Sequence, residues 1–525
     1  MLYVSLILEI LRSRPALVFW GASLLQAAVW ALVPALFYAA PPDDLAFTLA
    51  TGREFVLGSP EGPPLAFWAA EAVYRAAGIA GVYLLAQVCI VAAYWAMFRL
   101  ACRMVGARHA VLAMLPMIGI PALTVFSPDF GSAIAVLPVW SFLLLHLWRA
   151  AAGRERPLWL AVGAEAGLLV LITPAALALL VALAAFVLLT RPGRAALKRP
   201  EPWFGVILAL TVAAPYLAWL AEYGASGSWR LAGVWDGAAM QNLAGKLVGS
   251  GWQALWLFGL VAASHLGLAL LVFVVSGWPL ARRAAQVPIE RGRIAPVTGR
   301  FLLCLAGIPL AVACLAAAAW ALPLPWGGIG VLSLLSGLAV VVWAGRDIRL
   351  YRQYAGVYLW LALLLGPPVL MMLWAVGSPY FMSAEARIAQ PAGDIGRVFA
   401  DEYRKRTGRP LAAVGGDARL AALIALHAPE RPRLVALPSD ARTTVARLDD
   451  LRRSGGIVVW PTQDVRGAPP AAVAAQLPGL SPEVARSFTR PVEGRLPPLR
   501  IGWAIVPPAD APEVAGAASL RGRSP

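Results

Sequence analysis

Two acids stand side by side directly after a long apolar run: Asp43 and Asp44 follow the segment 15–39. A third, Asp129, sits in a turn of a few residues between two further apolar runs. Charged groups at the edge of a hydrocarbon layer are costly and tend to be functional. A carboxylate in such a place can take the proton of an attacking hydroxyl, which is general-base chemistry. The plain alternative is a solvated loop whose acids merely follow the charge bias along the chain. Few cations share this side of the chain, and Arg53, Arg230 and Lys246 stand out by position and charge as anion-binding candidates. A cation near lipid can equally pair with headgroups. Glu165 and His265 fall in the middle of apolar runs. Each is a functional candidate by default, or a neutral group hydrogen-bonded between helices.

The elements that must position these residues are membrane helices. Of 525 residues, 60% are hydrophobic and 14% charged, against about 25% charged in an ordinary soluble domain. A chain this apolar needs lipid as its solvent. Apolar runs occur at 15–39, 77–100, 109–126, 130–149, 157–173, 174–190, 203–221, 252–276, 301–322, 328–345 and 355–377. A span takes about 20 apolar residues, so the expectation is a polytopic α-helical protein with about eleven transmembrane helices. Pro174 forbids one continuous helix through the fifth and sixth runs. Residues 1–14 carry Glu9, Arg12 and Arg14 and read as a short surface helix, not a cleaved signal.

The connections alternate strictly in charge. One set carries twenty Arg and Lys residues, and the other carries Arg53, Arg75, Arg230 and Lys246. Cytoplasmic loops hold the excess of positive charge, so the N-terminus is expected in the cytoplasm. Eleven spans then place the C-terminus outside. The net charge of +16 is spent on this bias and forms no basic patch on a soluble domain, which argues against nucleic acid as a partner. Arginine far outnumbers lysine, a bias of GC-rich bacterial genomes, so a bacterial inner membrane with a periplasmic outer face is expected.

From about residue 380 the composition becomes soluble, giving two regions: a transmembrane domain over 1–379 and a domain over 380–525. Residues 394–407 read as a helix ended by Gly408. Short strands are expected at 411–414, 433–437, 457–460 and 501–506, with helices near 417–427 and 441–453. Strands alternating with helices argue for a small α/β domain. The four cysteines lie in or beside apolar runs and none has metal-ligand spacing. The four histidines are scattered and carry no zinc signature.

Two long connections lie on the sparsely charged side, 40–76 and 222–251. In the first, residues 44–57 read as a surface helix ended by Gly58, and Pro63–Pro64 starts a second, amphipathic one. The second connection interleaves Tyr223, Trp229 and Trp235 with Glu222, Asp236, Gln241 and Asn242. That mixture suits sugar stacking and suits an interfacial aromatic belt.

An acidic pair after the first span, then Gly, then Pro-Pro-Leu before an amphipathic helix resembles glycosyltransferase family 39. This family includes the protein O-mannosyltransferases and the lipid A aminoarabinose transferases, and its fold is called GT-C. The turn with Asp129 before AIAVLPVWSFLLL resembles a turn and span of bacterial members. The stretch PLAAVGGDARLAALIALHAPERPRLVAL resembles their soluble domain.

The resemblance implies a membrane enzyme that moves a sugar, with inversion, from a polyprenyl-phosphate donor to an acceptor (lipid A, another glycan or a protein). Asp43 matches the first acid of the family's pair and would be the general base. Asp44 stands where the family usually has Glu, and with Asp129 it would orient the acceptor or hold a divalent metal. No cofactor is otherwise implied. Arg53, Arg230 and Lys246 would hold the donor phosphate, because an anionic leaving group needs cationic or N–H partners and no general acid. Two other readings stay open: a transporter or flippase, and a non-catalytic relative that keeps the fold.

Overall fold

The computed structural model describes residues 9–11, 13–59, 62–223, 255–276, 289–290, 293–320, 326–343, 347–348, 353–381, 387–436, 449–477, 479–488 and 498–508. The chain forms two compact units, one drawn mainly from residues 1–376 and a smaller one mainly from 377–525.

The larger unit is helical. Its first half comprises α1 (Pro15–Phe37), α2 (Asp43–Gly52), α3 (Pro64–Val105), α4 (Ala107–Met114), α5 (Ser132–Ala151), α6 (Leu158–Ile172), α7 (Ala176–Leu189), α8 (Arg191–Leu197) and α9 (Glu201–Tyr223). Among the described residues six helices are long and apolar enough to cross a membrane, or up to eight if each of two bent pairs is one span. The chain is thus a multi-pass membrane protein. Among the described residues three of the eleven expected runs form only short apolar helices, Ala107–Gly119, Leu158–Ile172 and Gly328–Trp343. The causes are local. In the third run Pro116 and Pro121 turn the chain into 3-10 geometry at Leu115–Gly119 and Pro121–Leu123. A 15-residue helix such as α6 rises about 22 Å, short of the roughly 30 Å hydrocarbon core.

Glycines set two key geometries. Gly78 holds a left-handed backbone (φ 66°) inside α3, dividing an amphipathic stretch from the span that follows. A Cβ on Gly163 would lie 2.1 Å from the Gly205 carbonyl oxygen, so α6 and α9 meet backbone to backbone as small residues allow in membranes. The mid-span acid Glu165 pairs with His146 of α5, Oε1 to Nδ1 at 2.7 Å, which is the interhelical bond its plainer reading expects. His265, at the break between Leu255–Ser264 and Leu266–Val274, instead donates to the Val261 carbonyl one turn before it at 2.6 Å.

In the smaller unit, α10 (Ala392–Thr407) ends at Gly408 in the left-handed conformation (φ 68°), as a helix C-terminus favours. The strands are β1 (Ala413–Gly416), β2 (Arg433–Ala436), β3 (Gly456–Pro461), β4 (Pro482–Phe488) and β5 (Leu499–Val506), and between β1 and β2 lies α11 (Ala418–His427). The sheet order is β2-β1-β3-β5-β4. β1 runs parallel to both β2 and β3, while β5 is antiparallel to β3 and β4. Asp417 caps α11, its Oδ1 accepting the Leu420 N–H at 3.1 Å. β4 has no counterpart in the sequence reading. Its side chains are largely exposed or half-buried, so it lacks the apolar run by which buried strands are recognised. Of the expected helix near 441–453, residues up to 448 lie outside the described residues.

Candidate active site

The first loop starts with a helix whose natural cap is missing. The residue before α2 is Pro42, which has no side-chain acceptor for the helix's free N–H groups. Asp129 supplies it from another part of the chain: its Oδ1 accepts the Leu45 N–H at 2.7 Å across a separation of 84 residues. The Asp44 N–H also bonds its carboxylate. A carboxylate on the first N–H groups of a helix is favourable through both the hydrogen bonds and the helix dipole. The three acids named from the sequence, Asp43, Asp44 and Asp129, are thereby brought together at one helix end. Gly131 packs against the same helix, since a Cβ there would lie 3.5 Å from Thr48 Oγ1.

The arrangement has an electrostatic consequence. Asp129 has its carboxyl pushed up to about 8, first by burial and then by the charge of Asp44, with Asp43 adding to it. The N–H bonds from Leu45 and Asp44 pull the other way and do not win. The residue keeps part of its surface exposed, so the buried part is the carboxyl end itself. Asp129 is therefore held toward its protonated form beside its acidic neighbours. Like charges at short range push their protonation apart in this way. Tyr38, just past α1, is pushed up to about 12 by burial and then by the same Asp129 charge. Its ring meets Tyr83 of α3 edge to face, centroids 6.5 Å apart.

The turn that carries Asp129 is held by buried amides. Gln87 of α3 donates to Ser127 Oγ at 2.9 Å, and Ser127 donates to the Thr124 carbonyl at 2.5 Å. Gln26 of α1 donates to the Leu123 carbonyl at 2.9 Å. Non-helical backbone between spans needs its polar groups satisfied by protein; Gln26 serves the Leu123 carbonyl directly, and Gln87 holds the hydroxyl that serves the Thr124 carbonyl. The sequence reading does not single out Tyr38, Tyr83, Gln26, Gln87 or Ser127. A polar amide inside an apolar run was the available signal for the two glutamines.

Of the three expected cations, Arg53 is among the described residues. Arg53 is the residue after α2, ten positions from Asp43, hence about 15 Å along the axis and about 80° around it. Its backbone is pinned: Arg75 donates to the Arg53 carbonyl at 2.7 Å and to the buried carboxylate of Glu71 at 2.8 Å, and stacks over Phe55 at 4.9 Å. Among the described residues nothing engages the Arg53 guanidinium, which leaves it available to an anion. Arg230 and Lys246 lie outside the described residues. The expected helix over 44–57 stops at Gly52, where a Cβ would strike the Phe67 carbonyl at 2.4 Å. Phe55 then takes a left-handed backbone (φ 50°). Among the described residues no three His, Cys, Asp or Glu side chains group as ligands for a metal ion.

Residues 61–219 match the family model described as dolichyl-phosphate-mannose-protein mannosyltransferase. No curated protein matches the chain in sequence. Among solved structures, ArnT from Cupriavidus metallidurans bound to undecaprenyl phosphate is similar over 97% of this chain and 99% of its own, with 16% identity and a TM-score of 0.52. Its apo form has 16% identity and a TM-score of 0.48, over 93% of this chain and 97% of its own. The archaeal oligosaccharyltransferase AglB from Archaeoglobus fulgidus, in complex with an inhibitory peptide and a dolichol-phosphate, has 13% identity and a TM-score of 0.40, over 86% and 70%. Sequence and structure thus meet on one architecture: the chain has the GT-C glycosyltransferase fold, like that of ArnT.

Proposed function

We propose that this protein is a membrane glycosyltransferase that moves a sugar from a polyprenyl-phosphate donor to a hydroxyl acceptor, with inversion at the anomeric carbon. The observation that carries the reading is the convergence of Asp43, Asp44 and Asp129 on one helix end in a chain of this fold. Asp43 takes the proton of the acceptor hydroxyl as that oxygen attacks the anomeric carbon and the lipid phosphate leaves. Asp129 holds the start of α2 in place and, held toward its protonated form by burial and Asp44, keeps a second full negative charge away from the base. Asp44 orients the acceptor beside them. Arg53 reaches for the donor phosphate, joined by Arg230 and Lys246 from the second long connection.

The site faces the outer side of a bacterial inner membrane in this reading, with the N-terminus in the cytoplasm. The unit beyond residue 380 is periplasmic and engages the acceptor, which is a lipid, a glycan or a protein. The test is transfer from a radiolabelled polyprenyl-phosphate sugar in membranes, comparing the native chain with Asp43→Asn. Donor-dependent transfer lost in Asp43→Asn supports the reading. Transfer that survives Asp43→Asn removes Asp43 as base, and no transfer with any donor favours a transporter or an inactive relative.

A further inference from the structure

A second polar site lies at the other end of α5. The end of α5, the connection to α6, the short helix α8 and the start of α9 enclose a cavity of about 240 Å³. Drug-sized ligands occupy pockets of about 300–1,000 Å³, so this one suits a headgroup. Arg154, Arg156, Arg199 and Glu201 line it, with Trp159 and several alanines as apolar walls. It sits where α5 ends and α9 begins and where α8 turns by 95° from α7, and α5, α9 and the bent α7–α8 pair are all membrane-span candidates. The cavity is therefore at headgroup depth.

Its charges are unspent. Glu155, the acid between Arg154 and Arg156, is taken by Arg149 at 2.5 Å and Arg103 at 2.9 Å. No hydrogen bond or ion pair among the described residues engages the side chains of Arg154, Arg156 or Arg199. Arg154 holds a left-handed backbone (φ 59°), a conformation uncommon for a non-glycine residue. Within the same cavity Glu201 buries its Oε2 with no hydrogen-bond partner. A buried carboxylate oxygen without a donor is costly, and an unsatisfied one in a folded protein calls for a missing partner. Guanidiniums alone would suit any phosphate. Guanidiniums around an orphaned carboxylate suit a ligand that carries a phosphate and an N–H-bearing cation together.

We infer that this cavity binds a phosphoethanolamine group, its phosphate on Arg154, Arg156 and Arg199 and its ammonium on Glu201. The membrane supplies such a group as the headgroup of an aminophospholipid, and basic pockets between spans are known to hold lipid headgroups. The inference does not depend on glycosyl transfer.

The full chain is reconstituted in discs of phosphatidylcholine alone, or with one fifth phosphatidylethanolamine or phosphatidylglycerol, and retained lipid is read by native mass spectrometry. The ethanolamine lipid should be retained roughly tenfold over choline, whose quaternary nitrogen has no N–H to donate, a difference of about 1.4 kcal/mol. Glu201→Gln should abolish that preference while leaving phosphate-dependent retention. Arg156→Ala with Arg199→Ala should lower retention of both ethanolamine and glycerol lipids. Unchanged melting temperatures establish that the variants fold. Free phosphoethanolamine that fails to displace the lipid identifies the membrane as source, and displacement with retention of the free compound identifies a soluble one. Equal retention of ethanolamine and choline lipids by the native chain, preference for the glycerol lipid, or variants that bind like the native chain would each overturn the inference.

Discussion

The two ends of α5 hold opposite kinds of polar site. Asp129 lies three residues before its first residue, and the arginine-lined cavity meets its last two. Twenty residues of helix separate the ends by about 30 Å. At the acidic end every tether runs from one side chain to a distant element: Asp129 to α2, Gln87 to Ser127, Gln26 to Leu123. At the basic end no hydrogen bond or ion pair among the described residues holds the guanidiniums of Arg154, Arg156 and Arg199. The contrast matches what each would do. Chemistry needs groups fixed in advance at the reacting atoms, whereas holding a headgroup needs charge of the right sign within reach.

Four substitutions break or sharpen this contrast, beginning with the largest effect. Asp43→Asn should lower transfer by about 10²–10⁴-fold, the usual worth of a general base, with lipid retention at the basic cavity unchanged in native mass spectrometry. If both fall together, the variant has lost its fold and not its base. Gln87→Leu should come next, because it frees Ser127 and the turn before Asp129 while preserving apolar bulk. Leaving a buried partner unsatisfied costs about 1–3 kcal/mol, which should appear as a lower melting temperature and a reduced rate. A rate equal to the native chain's would remove the tether from the account.

Asp129→Asn keeps an oxygen for the Leu45 N–H but removes the titration. Burial and the charge of Asp44 push the native carboxyl up to about 8, above the ordinary value of about 3.9 for an unfolded chain. The folded state therefore binds the extra proton between those values, and that contribution to stability is lost as pH rises through 8. The native melting temperature should decline from pH 6 to pH 9, and the decline should be shallower in Asp129→Asn. Parallel curves would show that Asp129 is not the group responsible. The smallest effect belongs to the other unit. Asp417→Ala removes the cap of α11 and should cost about 1 kcal/mol, read as earlier proteolysis within residues 377–525 with transfer rates little changed.

Part of the site was legible in the residues. Asp43, Asp44 and Asp129 stood out because acids at the edge of apolar runs are rare, and the structure gathers all three. Arg53 stood out for its charge, yet α2 places it about 15 Å from Asp43, since position in a loop says nothing of position on a helix. Tyr38 and Tyr83 were invisible as a pair, 45 residues apart but in ring contact. Arg154, Arg156 and Arg199 read only as the positive bias of a simple connection. That Glu155 is spent on Arg103 and Arg149, leaving them unpaired, depends on the packing of α3 against α5.

The sequence by itself determined that the chain lives in lipid, roughly where its helices run, and that a soluble α/β unit follows. Hydropathy and charge bias act through solvent on each segment separately, so they survive in one dimension. The tertiary structure decided which proline-broken run stays short, which acid caps which helix, and which cations remain unspent. Those outcomes are hydrogen bonds and ion pairs between groups 40 to 84 residues apart, and only the folded chain brings such groups within bonding distance.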